Sequence, residues 1–176
     1  MKFRAGALTL VVAGAALAAC TPELDWRELS VPEGRFAVLL PGKPRHESRA
    51  LNTAAGALTM TMYSFSLKQG TMGVAYTDYP AAALAAEHGR AQMDAARDAL
   101  LRNIQGGVRL EEDIGIAGFP GRQVYAEGRA GAEGALLKAR FVVVGSRLYQ
   151  IAYVGAKDGV AMADIDMFLT SFRLLH

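Results

Sequence analysis

The chain has 176 residues, 52% hydrophobic and 20% charged, which is the size and balance of one packed domain and excludes a disordered or collagen-like chain. Its single Cys excludes an intramolecular disulfide framework and any multi-cysteine metal site. The formal net charge is +2, but Lys2 and Arg4 lie in a segment expected to be removed. Without them 17 Lys+Arg face 17 Asp+Glu, so overall charge gives no footprint for nucleic-acid binding.

Lys2 and Arg4 form a short positive region, and the next 15 residues, Ala5 to Ala19, carry no charge. A membrane-spanning helix needs about 20 apolar residues, whereas this run has the length of a signal-peptide core. It ends in Leu17-Ala18-Ala19-Cys20, which resembles the lipobox of bacterial lipoproteins. The resemblance implies a signal peptide over residues 1–19, a diacylglycerol on the Cys20 thiol, and cleavage that leaves Cys20 as the new N-terminus. An ordinary secreted protein with an Ala-rich cleavage site and an incidental Cys is the other reading of the segment. A single acyl chain binds a bilayer marginally, and two or more make a stable anchor. Thr21 stands where an Asp would imply retention at the inner membrane, so the same resemblance implies the outer membrane.

Residues 20–34 are expected to form the lipidated Cys and a tether, because two prolines and four acidic residues argue against a regular element. Trp26 is expected to pack over the edge of the domain. A single α+β domain is expected over residues 35–176. Phe36–Leu40 is a short apolar run stopped by Pro41-Gly42-Lys43-Pro44, a buried strand and a turn. Arg45 to Asn52 suits an edge strand. After Gly56, the apolar residues Leu58, Met60 and Met62 shift phase to Tyr63, Phe65 and Leu67, which predicts either a bulge or a strand covered on both faces. Gly70 turns the chain into a strand over Thr71 to Tyr79, closing a hairpin.

Pro80 opens an Ala-rich stretch to Ile104, with an apolar stripe of Met93, Ala96, Leu100 and Ile104 at helical spacing. His88-Gly89 weakens its middle, so its first third is expected to be separate or irregular. Asp98 and Arg102 are placed to pair at i,i+4, and Gly106-Gly107 stops the helix. Four strands follow, Val108–Ile116, Arg122–Gly128, Ala135–Val144 and Arg147–Val154, and their short spacers predict an antiparallel meander. Met162, Ile165, Leu169 and Phe172 line a last short helix. The order predicts α+β: an antiparallel sheet of about six to seven strands flanked by one long helix and one short C-terminal helix.

Val144-Gly145-Ser146-Arg147-Leu148-Tyr149-Gln150-Ile151 and Phe168-Leu169-Thr170-Ser171-Phe172 resemble the end of proteins of the PsbP/Mog1-like class. Phe36 to Leu40 with Pro41-Gly42-Lys43-Pro44, and Tyr76-Thr77-Asp78-Tyr79-Pro80, are similar to bacterial members of unknown function. The resemblance covers most of residues 35–175 and implies an α/β/α sandwich around an antiparallel sheet. It carries over no functional residue.

His46, His88 and His176 lie far apart in sequence, with no HExxH, and are read as solvated. Ser64, Ser66, Ser146 and Ser171 lack a nucleophile-elbow context. Gly42-Lys43 lacks the flanks of a P-loop, and Gly115, Gly118 and Gly121 lack the dinucleotide spacing. Glu111 and Asp113 would share a strand face and could suit a hard cation, although a solvated strand face is the simpler reading. Arg122, Arg129, Arg140 and Arg147 could make a basic stripe, or be neutralised by interleaved Glu127 and Glu133. Met60, Met62 and Met72 could form an adaptable surface or simply core.

These observations lead to a non-catalytic binding or assembly module at the bacterial cell envelope, anchored by acylated Cys20 on the periplasmic face of the outer membrane. Its expected partners are membrane lipid and an envelope protein, with no nucleic acid, metal or cofactor. The other readings are an envelope hydrolase with dispersed carboxylates, and a carrier holding a small apolar ligand in an apolar cavity.

Overall fold

The computed structural model describes residues 24–84, 89–130 and 132–175; the signal segment, Cys20, His88 and His176 lie outside the described residues. Among the described residues, ten strands and three helices follow in the order β1 Arg27–Val31, β2 Phe36–Leu40, β3 Arg45–Thr53, β4 Gly56–Leu67, β5 Gly70–Asp78, α1 Ala81–Leu84, α2 Arg90–Asn103, β6 Gly107–Ile116, β7 Phe119–Ala130, β8 Glu133–Val144, β9 Arg147–Ala156, α3 Met162–Thr170 and β10 Arg173–Leu174.

Seven strands form one antiparallel sheet in the order β3-β4-β5-β9-β8-β7-β6. Two meanders, β3 to β5 and β6 to β9, are zipped together along β5 and β9. The alternation in β8 sorts the two faces. Ala135, Leu137, Ala139 and Phe141 meet Met93, Ala96 and Ile104 of the α2 segment. Leu136 and Val142 point to the other face and join Ile165, Phe168 and Leu169 of α3. On that second face lies a small sheet, β1-β2-β10, that buries Val31, Phe36, Val38 and Leu40. The layer opposite α2 is therefore a three-stranded sheet with one short helix; the expected antiparallel sheet of about six to seven strands with a helix on each face is present, and the molecule is more β-rich than expected.

One expectation is corrected. The tether reading fails for Arg27–Val31, which pairs with β2 from Arg27↔Leu40 to Val31↔Phe36. Leu29 and Val31 face the core from this strand, and Pro32 falls in the turn after it, where Arg35 N–H bonds the Pro32 carbonyl at 3.0 Å. The weak point expected at His88-Gly89 falls where Gly89, in the left-handed region (φ 73°), directly precedes α2. Trp26 packs, half-buried, against the core as expected. The phase shift in β4 is not a bulge, since its register with β3 and β5 is unbroken. Tyr63, Phe65 and Leu67 serve the core beneath the small sheet, while Met60 and Met62 look to the opposite face, so both faces of β4 are partly covered.

β7 starts three residues before its expected beginning, because the β6–β7 turn is only Ala117-Gly118, both at positive φ (50° and 85°) as in a type I′ hairpin. β8 pairs with β7 only from Gly121 onward, so Pro120 has a strand neighbour on one side only, where proline is tolerated. Alanine has no side-chain means of relieving the left-handed conformation. Ala117→Asn is expected to raise stability by about 0.5–1 kcal/mol, read as a higher urea midpoint at unchanged slope. An unchanged or lower midpoint would show that Ala117 is not strained.

Candidate functional site

The chain enters the described fold at Leu24, which itself walls a cleft of about 540 Å³. Phe65 and Leu67 of β4 and Val160 before α3 supply its apolar wall, and Lys68 and Asp164 stand among its polar residues. Cys20 is four residues upstream, at most about 14 Å of extended chain. An anchor on Cys20 would thus hold this end of the molecule next to the lipid.

What fixes this end to the rest is a clamp at the opposite end of the β1–β2 hairpin, built from the residues that carry the PsbP/Mog1-like resemblance. The Arg147 guanidinium donates to both Asp78 carboxylate oxygens at 2.6 and 2.8 Å and to the Glu33 carbonyl at 2.9 Å. It also lies 4.4 Å over the Tyr76 ring. Asp78 holds Arg147 above its ordinary pKa, against the opposing effect of burial. The Tyr149 hydroxyl donates to the Gly34 carbonyl at 2.8 Å, and burial pushes its pKa up. Ser171 closes the other side: its hydroxyl accepts the Leu39 N–H at 2.9 Å and donates to the Phe168 carbonyl at 2.7 Å. The turn and C-terminal motifs are thus fasteners between the two sheets.

Near the clamp, the Tyr63 hydroxyl donates to Glu33 at 2.6 Å, and His46 stacks on Tyr63 with ring centroids 4.6 Å apart. Burial, then Glu33, drive the Tyr63 pKa upward; the Tyr63 hydrogen bond draws the Glu33 carboxyl below its usual value. His46 is exposed and stacked, with no second histidine beside it among the described residues.

Glu111 and Asp113 do share a face of β6, the one toward α2; that face is exposed, as the simpler reading has it, and its carboxylates are paired. Arg122, only 7% exposed, reaches Asp94 of α2, Glu111 at 2.9 Å and Asp113 at 3.4 Å. Arg97 binds Asp94 at 3.2 Å, Asp98 at 2.9 Å and Glu111 at 2.9 Å, and Arg90 meets Asp113 at 3.5 Å. The carboxylates are consumed by three arginines. Among the described residues no group of three or more His, Cys, Asp or Glu could hold a metal ion. Asp98 turns to Arg97 rather than Arg102, so the expected i,i+4 pair does not form. A hollow of about 320 Å³ adjoins this network beside Met93, Ile114 and Pro120.

The basic stripe does not exist. Arg122 lies toward α2, while Arg140 lies toward α3, where it donates to Gln123 at 2.8 Å and to the Leu169 carbonyl at 3.4 Å; burial lowers its pKa. Arg147 belongs to the clamp, and Arg129 is exposed. Glu127 neutralises Lys157 at 2.7 Å and Arg109 at 3.4 Å, not Arg129, and the Lys157 hydrogen bond leads in lowering its pKa. The methionines separate too: Met72 is fully buried in the core facing the small sheet, and Met60 and Met62 are half-buried on the other face. Sequence reasoning missed Arg97, Asp94, Glu33 and Asp78, whose importance comes from partners distant in the chain.

A seven-stranded antiparallel sheet with a helix on one face and a small sheet plus helix on the other is a PsbP-like fold. The solution structure of cyanobacterial PsbP (CyanoP) from Synechocystis sp. PCC 6803 matches 91% of this chain and 98% of its own, at a TM-score of 0.51 and 13% identity. The crystal structure of PA94 from Pseudomonas aeruginosa, a protein of unknown function, matches 75% of this chain and 83% of its own, with a TM-score of 0.34 and 10% identity. No family model and no curated protein matches the sequence. The likeness is one of fold.

Proposed function

We propose that this chain is a lipid-anchored protein of the bacterial cell envelope, held through acylated Cys20 at the periplasmic face of the outer membrane, where it works by contact as a non-catalytic binding or assembly module. One observation carries the reading: the only Cys stands directly behind an uncharged run of 15 residues, in Leu17-Ala18-Ala19-Cys20. The tertiary structure supports it in two ways. Leu24 sits at one end of the molecule beside a cleft, so an anchor there leaves the far end and the sheet edges free to meet a partner. The densest acidic cluster, which a hydrolase would need unpaired, is tied up with Arg90, Arg97 and Arg122. The cleft mixes Lys68 and Asp164 with its apolar wall, unlike the apolar cavity of a carrier for an apolar ligand.

Two measurements on the full-length chain test the reading. Mass spectrometry of the mature N-terminal peptide is expected to show diacylglycerol-modified Cys20. In Cys20→Ala, processed chain is expected to move from the membrane to the soluble fraction with its fold intact. A native mature chain with a free amine and a bare thiol overturns the anchor.

A further inference from the structure

The seven-stranded sheet has two outer edges, and they differ. β6 carries a register shift between Val108 and Leu110. A bulge is a device that blunts an edge against pairing. β3 carries none. Its nine residues pair with β4 from Arg45↔Ser64 to Thr53↔Gly56 without a break, and Arg45 to Ala50 are all exposed. Among the described residues no strand pairs with its outer side. The backbone groups of a flat edge strand are a template for another strand.

We propose that β3 is a dimer interface, pairing antiparallel with β3 of a second copy about a twofold axis through Ser48. The choice of occupant and register rests on charge. A twofold axis normal to the sheet sets one residue opposite its own copy, because side chains opposite each other share a face. Centred on Ser48, the pairing sets Glu47 opposite the partner's Arg49 and Arg49 opposite the partner's Glu47, two ion pairs from one contact. It also sets Arg45 opposite the partner's Leu51, where the arginine stem covers an apolar side chain. Centred on Arg49, it presses two guanidinium groups together. Centred on Glu47, it opposes two carboxylates and sets Arg45 against the partner's Arg49. Within one chain Glu47 and Arg49 already meet at 3.8 Å with both side chains about half exposed, so they are free to be shared across the axis. An axis normal to the sheet also brings both chains in from the same face, the one bearing β1 and Leu24. That is the arrangement two anchors in one bilayer require, although the pairing itself needs no anchor.

Residues directly opposite in an antiparallel pair have Cα atoms about 4.5–5.5 Å apart, within disulfide range. In cells making the full-length Ser48→Cys chain, mild oxidation is expected to link more than about half of it into a dimer. Ala50→Cys, whose copies lie about four residues apart along the strands, is expected to link less than about a tenth as much. The unsubstituted chain on the same gel reports any disulfide through Cys20. In the Ser48→Cys background, Glu47→Arg alone or Arg49→Glu alone is expected to lower the dimer about tenfold, and the two together to restore it. All these side chains are exposed, and circular dichroism checks that the fold is kept. Cross-linking at Ala50→Cys equal to or above that at Ser48→Cys, or a double swap that fails to restore the dimer, overturns the proposal. Membrane fractionation of the same cells reports the anchor separately, so the two ideas fail independently.

Discussion

Phe36→Ala is expected to lower the unfolding free energy by about 4 kcal/mol and the Tm by about 10 °C. Phe36 is fully buried, and its ring touches both layers. It meets Tyr63, Tyr76 and Tyr149 of the large sheet edge-on, with centroids 6.0, 6.3 and 6.2 Å away, and stacks on Phe172 at 5.8 Å. Truncation removes the burial of a whole ring and leaves a cavity whose walls, three tyrosines of a paired sheet, cannot collapse inward. Edge-to-face geometry adds to the loss. Urea unfolding gives the measurement, with Phe119→Ala at the exposed hairpin tip as a control expected to change stability by under about 0.5 kcal/mol. Equal effects at the two positions would mean that the small sheet is not fastened through Phe36.

Arg122→Ala is expected to cost about 3 kcal/mol, because it leaves Asp94, Glu111 and Asp113 facing one another with a buried cation gone. The side chains of these carboxylates are 38%, 27% and 69% exposed, so water and the remaining Arg97 and Arg90 screen them, and the cost stays at the low end for a broken buried network. Arg122→Met keeps most of the volume of the arginine stem between α2 and the sheet and is expected to lose about half as much. Arg122→Lys offers a point charge where a fork serves three partners, and should fall between them. The order Ala, Lys, Met in chemical denaturation checks the argument. A loss under about 1 kcal/mol for Arg122→Ala would place the network among surface ion pairs that contribute little.

Much of the fold was legible because burial leaves a local trace. Ala135, Leu137, Ala139, Phe141 and Val143 alternate with Lys138 and Arg140, and the structure turns the first set to α2 and the second to α3. The stripe of Met93, Ala96 and Ile104 is the face α2 and its C-terminal residue bury. Where the local trace is weak, the reading failed. β1 has charged residues at Arg27 and Glu28 and two neighbouring prolines, and β10 is two residues long. Both are strands because β2 lies between them, with Leu174 opposite Phe36. The acidic cluster is a different case: the shared face of Glu111 and Asp113 was read correctly, but nothing near them in sequence announced Arg97 or Arg122.

By itself the sequence determined the uncharged run that precedes its single cysteine, the positions of the strands and helices with a clear apolar period, and which of their side chains turn inward, since each depends on neighbouring residues. Only the tertiary structure decided the order of the strands, the second sheet, the clamp of Arg147 on Asp78 and Glu33, and the pairing of α2 with the acidic strand. Those contacts join residues far apart in the chain, and their free energy comes from desolvation and charge pairing that exist only once the layers have met.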